Sequence, residues 1–162
     1  MEQLVVGISD LKVGQSEDVL VTYALGSCVG ICLWDSAVRV GGLSHIMLPL
    51  STLTPGDRNS MKYADTAIPE LIRRMERLGA NSLRMKAKIA GGAQMFQVSG
   101  GGNNSMWQIG QRNVAAVTET LKKMRIQLLA QDVHDSYGRT VFFAPATGIM
   151  SVKAINKPTK EL

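Results

Sequence analysis

Long apolar runs are missing from this 162-residue sequence: the longest, Ala24 to Trp34, falls well below the ~18 residues that a membrane-spanning helix needs. Met1 to Asp10 lacks a basic segment followed by an apolar block, so neither a secretory leader nor membrane insertion is expected. Cysteine is scarce. Cys28 and Cys32 share one apolar run, where a strand would hold them ~13 Å apart, too far for a disulfide. Both facts point to a reducing, cytoplasmic setting. Aromatic residues make up only 5%, too few for a base-stacking RNA surface, and no nucleic-acid partner is expected. The two histidines, His45 and His134, and the two cysteines lack the paired close spacing of a zinc site. Gly91-Gly92 and Gly100-Gly101-Gly102 fit neither the P-loop nor the dinucleotide fingerprint, and no Gly-x-Ser-x-Gly elbow occurs. No metal or cofactor is expected.

What is present describes a single globular domain. The composition is 45% hydrophobic and 19% charged, which excludes the signature of disorder. The net charge of +5 permits attraction to an acidic surface. The basic residues are dispersed, however: Arg73, Arg74 and Arg77 on one expected helix, Lys122, Lys123 and Arg125 on another, and Lys153, Lys157 and Lys160 towards the C-terminus. Solvated helix faces and a basic tail account for them.

Runs rich in Val, Ile and Leu predict strands at Val19 to Leu25, Val29 to Asp35 and Val40 to Leu48, then at Met85 to Ile89, Ile126 to Val133, Thr140 to Ala144 and Ile149 to Ile155. Apolar residues at three-and-four spacing predict a helix over Tyr63 to Leu78 with Gly79 as its end cap, and a second over about Gln111 to Met124. Pro69 suits the first helix if regular structure starts near Thr66, which would put the proline in the first turn. Pro55-Gly56-Asp57 marks a turn, and Ser99 to Ser105 has the composition of a mobile loop. Strands gather at both ends with helices between them, so the class is α+β rather than a βαβ repeat.

One segment combines a turn with a nucleophile. Thr22-Tyr-Ala-Leu-Gly-Ser-Cys28-Val29 ends one expected strand and begins another, and Gly26-Ser27 allows a tight reversal just before the thiol. Such a turn would expose the sulfur beside backbone N–H groups of Gly26, Ser27 and Val29 able to hold an oxyanion. The local residues alone favour reading Cys28 as a small buried hydrophobe, which is also how Cys32, among Ile31, Leu33 and Trp34, is read. A base for Cys28 would have to be His45 or His134. His45 lies on a strand able to pair with the one bearing Cys28, although a lone histidine there is more often a hydrogen-bonded structural residue. His134, between Asp132 and Tyr137 in a polar turn, reads as surface. A neighbouring imidazolium would raise the thiolate fraction of a thiol with a pKa of about 8.5.

The pattern Leu20-x-Thr22-x-x-Leu25-Gly26-Ser27-Cys28-Val29 followed by Gly41-Gly42-Leu43-x-His45-x-x-Leu48-Pro49 resembles the chemoreceptor glutamine deamidase family, CheD. Lys62-Tyr63-Ala64-Asp65, Lys88-Ile89-x-Gly91-Gly92-Ala93, Ile109-Gly110-x-Arg112-Asn113 and Gly138-Arg139 continue it in order, so the resemblance spans residues 4 to 154. It implies a catalytic cysteine at Cys28, a catalytic histidine at His45 and a threonine orienting that histidine at Thr22. It implies hydrolysis of selected glutamine side chains on chemoreceptor cytoplasmic domains, or, alternatively, an adaptor role on a CheC-type phosphatase. The family is similar to the cytotoxic necrotizing toxin deamidases, which implies mixed sheets packed in layers between helices, an α/β/β/α-type sandwich, with the deamidase domain at 1–156 and a basic tail at 157–162. Two departures stand out. His134-Asp135-Ser136-Tyr137 occupies the place of a family Gly-Gly, and Gln111 stands where the family has glutamate.

Overall fold

The computed structural model of the chain describes residues 2–95 and 108–162; the expected loop at 99–105 lies outside them. Ten strands and two α-helices follow in the order β1 (Gln3–Val5), β2 (Asp10–Gln15), β3 (Val19–Leu25), β4 (Val29–Asp35), β5 (Val40–Ile46), α1 (Ala64–Arg77), β6 (Lys86–Gly91), α2 (Ile109–Lys123), β7 (Gln127–Val133), β8 (Arg139–Ala144), β9 (Ile149–Lys153) and β10 (Lys160–Glu161). An outer sheet runs β1-β3-β8-β9-β10 and a central sheet runs β2-β5-β4-β6-β7. Both are mixed, because β1 pairs with β3 and β6 with β7 in parallel while the other neighbours are antiparallel. The α+β class expected from sequence is the class observed.

The central sheet is buried on both faces. Ile31, Leu33, Ile46 and Ile89 pack under Ile68, Leu71, Val117 and Leu121 of the helices, while Cys32, Leu43 and Ala90 point the other way, against Leu20, Val141 and Phe143 of the outer sheet. Two-sided burial explains why β4 and β5 read as continuous apolar runs rather than as alternating ones. It also explains Gly41 and Gly42. A Cβ on Gly41 would meet the Phe143 ring and one on Gly42 the Leu71 side chain, each closer than van der Waals contact allows. Both described helices therefore lie on the same face of the central sheet, and the layers run helices, central sheet, outer sheet. The expected helix on each side is not seen among the described residues, because the apolar stripes of α1 and α2 belong to one core.

Local chemistry accounts for the element ends. Gly79 has φ of +96°, and the N–H groups of Gly79 and Ala80 bond back to Glu76 and Met75 in a Schellman closure of α1. Pro69 is not in the first turn as expected; α1 starts at Ala64, so the proline lies in the second turn and leaves Asp65 without its helical donor. At the other end of the chain, the segment expected as a basic tail carries β10, which pairs with β9 through Lys160 and Glu161.

Candidate active site

Three strands bring the expected residues together. β3 ends in an irregularity between Thr22 and Leu25, with Ala24 at φ of +57°, and the chain then crosses from the outer sheet to the central sheet through Gly26 and Ser27. Thr22 consequently faces β5 across the space between the sheets. Its Oγ1 lies 2.7 Å from His45 Nδ1 and 2.8 Å from the Val6 carbonyl oxygen, and both side chains are completely buried.

This pair of contacts fixes the histidine tautomer. A carbonyl oxygen can only accept, so the single Thr22 hydroxyl proton goes to Val6, and towards His45 the hydroxyl oxygen can only accept. His45 therefore carries its proton on Nδ1. Its Nε2 is left with a free lone pair, buried and without a hydrogen-bond partner among the described residues.

The third expected residue lies close along the chain. Gly30 of β4 pairs with His45, and Cys28 stands two residues before Gly30, in the bend just ahead of β4. Cys28 is partly buried and packs against the core between the sheets. Gly30 leaves space opposite the imidazole; a Cβ there would lie 3.7 Å from Thr22 Cγ2 and 3.1 Å from a Leu25 methyl.

The turn itself is held by its carbonyls. Gly26 accepts from Ala93 N–H at 2.9 Å, Cys28 accepts from Gly92 N–H at 2.8 Å, and Ser27 accepts from Asn113 Nδ2 at 2.9 Å. Gly91, at φ of +114°, makes the approach possible, because any Cβ there would overlap the Cys28 carbonyl oxygen. On the other side of this segment, the His134 N–H bonds to the Gly91 carbonyl at 2.9 Å, and buried Arg139 reaches Asp132 at 3.1 Å and the His134 carbonyl at 3.0 Å. The N–H groups of Gly26, Ser27 and Cys28, in contrast, meet no backbone carbonyl among the described residues.

Burial sets the protonation states. It pushes the Cys28 thiol above its ordinary range, opposed only by the residue's own backbone N–H, and pushes His45 down to about 4. At neutral pH both groups are uncharged. Neither shift favours the thiolate–imidazolium pair expected from sequence. Cys32 is buried between the sheets and its thiol is raised far more strongly, which leaves it inert. His134 is exposed in the β7–β8 loop, as its polar surroundings suggested.

The larger cavities lie elsewhere. One of about 610 Å³ runs between α1 and α2, and another of about 520 Å³ sits by Tyr137, Lys153 and Ile155; neither is lined by Cys28 or His45. Sequence reasoning named Asn113, Gly91 and Gly92 only as parts of motifs, and missed that they anchor the turn. Their spacing had no meaning until α2 and β6 were placed against Ser27 and Cys28.

A profile of the family described as CheD chemotactic sensory transduction matches residues 47–154, a stretch that begins just past His45. Over the full chain, a probable chemoreceptor glutamine deamidase CheD of Clostridium botulinum strain Hall is 47% identical across 162 residues, covering 100% of this chain and 99% of the relative. Its counterpart in Lachnoclostridium phytofermentans is 46% identical over 161 residues, covering 99% of each.

Proposed function

The chain belongs to the CheD family, and from that membership together with the Thr22–His45–Cys28 arrangement we propose that it is a protein-glutamine deamidase acting on chemoreceptors in the cytoplasm. It hydrolyses selected glutamine side chains of their cytoplasmic domains to glutamate and releases ammonia. The observation that supports this reading is the buried Nε2 of His45, without a partner among the described residues and held in the base tautomer by Thr22, on the strand position that pairs with Gly30, two residues after Cys28.

The steps follow from the protonation states. As the Cys28 sulfur adds to the carboxamide carbon, its proton passes to His45 Nε2, and the developing oxyanion is held by backbone N–H groups of the Gly26–Val29 turn. The imidazolium then protonates the departing nitrogen, the C–N bond breaks and ammonia leaves a thioester on Cys28. Nε2 next takes a proton from water, which attacks the thioester; the sulfur leaves, regains the proton and frees a glutamate side chain. Through both halves Thr22 accepts from Nδ1–H and keeps the ring in one orientation, while the Val6 carbonyl keeps Thr22 in its accepting role.

The test is mass spectrometry of a receptor cytoplasmic domain incubated with wild type or Cys28→Ala. Wild type should add about one mass unit per converted glutamine, by exchange of a nitrogen for an oxygen in a hydrolytic cycle. Cys28→Ala should add none, and equal conversion by both proteins would refute the assignment.

A further inference from the structure

Asn113 lies in the first half of α2, is completely buried, and contributes no atom to the thiol or the imidazole. Its side-chain nitrogen donates to two carbonyls at once, Ser27 O at 2.9 Å and Met47 O at 3.0 Å. Both partners can only accept, so the amide orientation is determined; the reverse orientation would set its oxygen against two other oxygens. Ser27 immediately precedes Cys28, and Met47 follows His45 by two residues on the chain leaving β5. One NH₂ group therefore bridges the two segments that carry the nucleophile and the base.

We infer that Asn113 is a positioning residue for the Cys28–His45 pair: it fixes the spacing of the two segments at the end of the central sheet where their ladder pairing stops. β4 and β5 are paired only from Val29 and Ile46 inwards, so Cys28 and Met47 lie just beyond the last pair. Backbone bonds tie each side separately, Gly92 N–H to the Cys28 carbonyl and Met47 N–H to the Lys62 carbonyl, and the Asn113 amide joins one side to the other. A displacement of about 1 Å between reacting groups is enough to cost on the order of 100-fold in rate. The helix that carries Asn113 is itself seated on the turn. Gly110 has no side chain because a Cβ there would overlap the carbonyls of Gly92 and Ala93, whose N–H groups hold Cys28 and Gly26. Ser27 and Met47 are thus clamped by a helix docked on the Gly92–Ala93 segment just past β6, which also holds the Cys28 carbonyl.

The inference rests on the Cys28–His45 pairing of the preceding reading, and its test needs no receptor substrate. Alkylation of Cys28 by iodoacetamide is followed by peptide mass spectrometry in a double-mutant cycle of Asn113→Leu with His45→Ala, each variant first verified as folded by near-ultraviolet circular dichroism. Asn113→Asp, which keeps the side-chain volume and sets an oxygen against the two carbonyls, runs in parallel. Asn113→Leu and Asn113→Asp should each slow Cys28 alkylation about 10-fold or more when His45 is present, and change it less than about 2-fold when His45 is alanine, as expected for residues coupled through one network. Equal slowing in both backgrounds, or none in either, overturns the positioning role. Unchanged alkylation in His45→Ala alone would instead refute the pairing, and the inference with it. With a glutamine substrate, the same Asn113 variants should lower kcat and leave KM within about 2-fold.

Discussion

At Thr22 one hydroxyl serves two partners, and the direction of each hydrogen bond has consequences for activity. Thr22→Val removes the acceptor for His45 Nδ1–H and strands the Val6 carbonyl, so kcat should fall roughly 10- to 100-fold with little change in KM. Thr22→Ser should restore most of it, and steady-state kinetics on a receptor domain decide the matter; a valine variant with wild-type kcat would remove Thr22 from the site. Cys28→Ala and His45→Ala should each abolish deamidation, whereas Cys32→Ala should keep most of it, because Cys32 fills space between the sheets. The buried histidine also sets an acid limit on stability. Unfolded His45 binds a proton near pH 6.5 but folded His45 only near 4, so between those values the unfolded chain holds more protons and stability drains as pH falls, by about 3 kcal/mol in all. The depressed carboxylates Asp35 and Glu70 lose their contribution as pH falls through their ordinary range of about 4 to 4.5 and below, at the acid end of the histidine window. Urea titrations from pH 7 to pH 4 should show this loss in wild type and a much flatter response in His45→Gln. Candidate chemistry was visible in the residues themselves, since only two histidines compete to be the base; the tautomer was not, because it depends on Val6, sixteen positions from Thr22.

Elements record their geometry in particular φ angles. Arg125 occupies the place just past α2 with φ of +58°, and its N–H and that of Ile126 close the helix onto Lys122 and Leu121. Glycine suits that conformation better, so Arg125→Gly should stabilise the fold by about 1 kcal/mol, read as a rise in Tm without change in kcat. The opposite is expected at Gly91. With φ of +114° and the Cys28 carbonyl where a Cβ would lie, Gly91→Ala should cost more than about 2 kcal/mol and disrupt the turn that presents the thiol. A Gly91→Ala protein with wild-type Tm and turnover would show that the turn does not depend on this close approach. His134 and Asp135 also stand at positive φ, +69° and +57°, a conformation that glycine adopts more readily. The long elements were legible from sequence: the helices from three-and-four spacing, and β3 to β5 from apolar runs bounded by Gly26-Ser27 and Asp35-Ser36. β1, β2 and β10 were not. They are short or partly exposed, and each is a strand only because a distant partner pairs with it, Val19 to Val21, Val40 to His45 and Ser151 to Val152 respectively.

For the whole molecule, the path of the chain between sheets makes the site. β3 and β4 are neighbours in sequence yet lie in different sheets, so Thr22 and Cys28 approach His45 from different layers. No local pattern announces which sheet a strand joins, and the same limit left the helices expected on two faces when both cover one. Net charge is a second property of the whole. At +5 the protein should be drawn to an acidic partner, although Arg73 and Arg74 are already engaged by Glu70, which leaves Arg77, Lys122, Lys123 and Arg125, of the helix cations named from sequence, without an ion pair among the described residues. Surface charge acts over ~8 Å at physiological ionic strength and chiefly alters association. Raising salt from roughly 50 to 500 mM should therefore lower kcat/KM on a receptor domain and leave a small neutral glutamine peptide unaffected; a flat response for both would assign recognition to shape and apolar contact. Central to all of this is a covalent bond to Cys28. Quenching the protein in acid during turnover of a glutamine peptide, and weighing it intact, should reveal an adduct of one peptide less one ammonia, about 17 mass units, at Cys28. Sustained turnover without that adduct, undiminished in Cys28→Ala, would contradict the account.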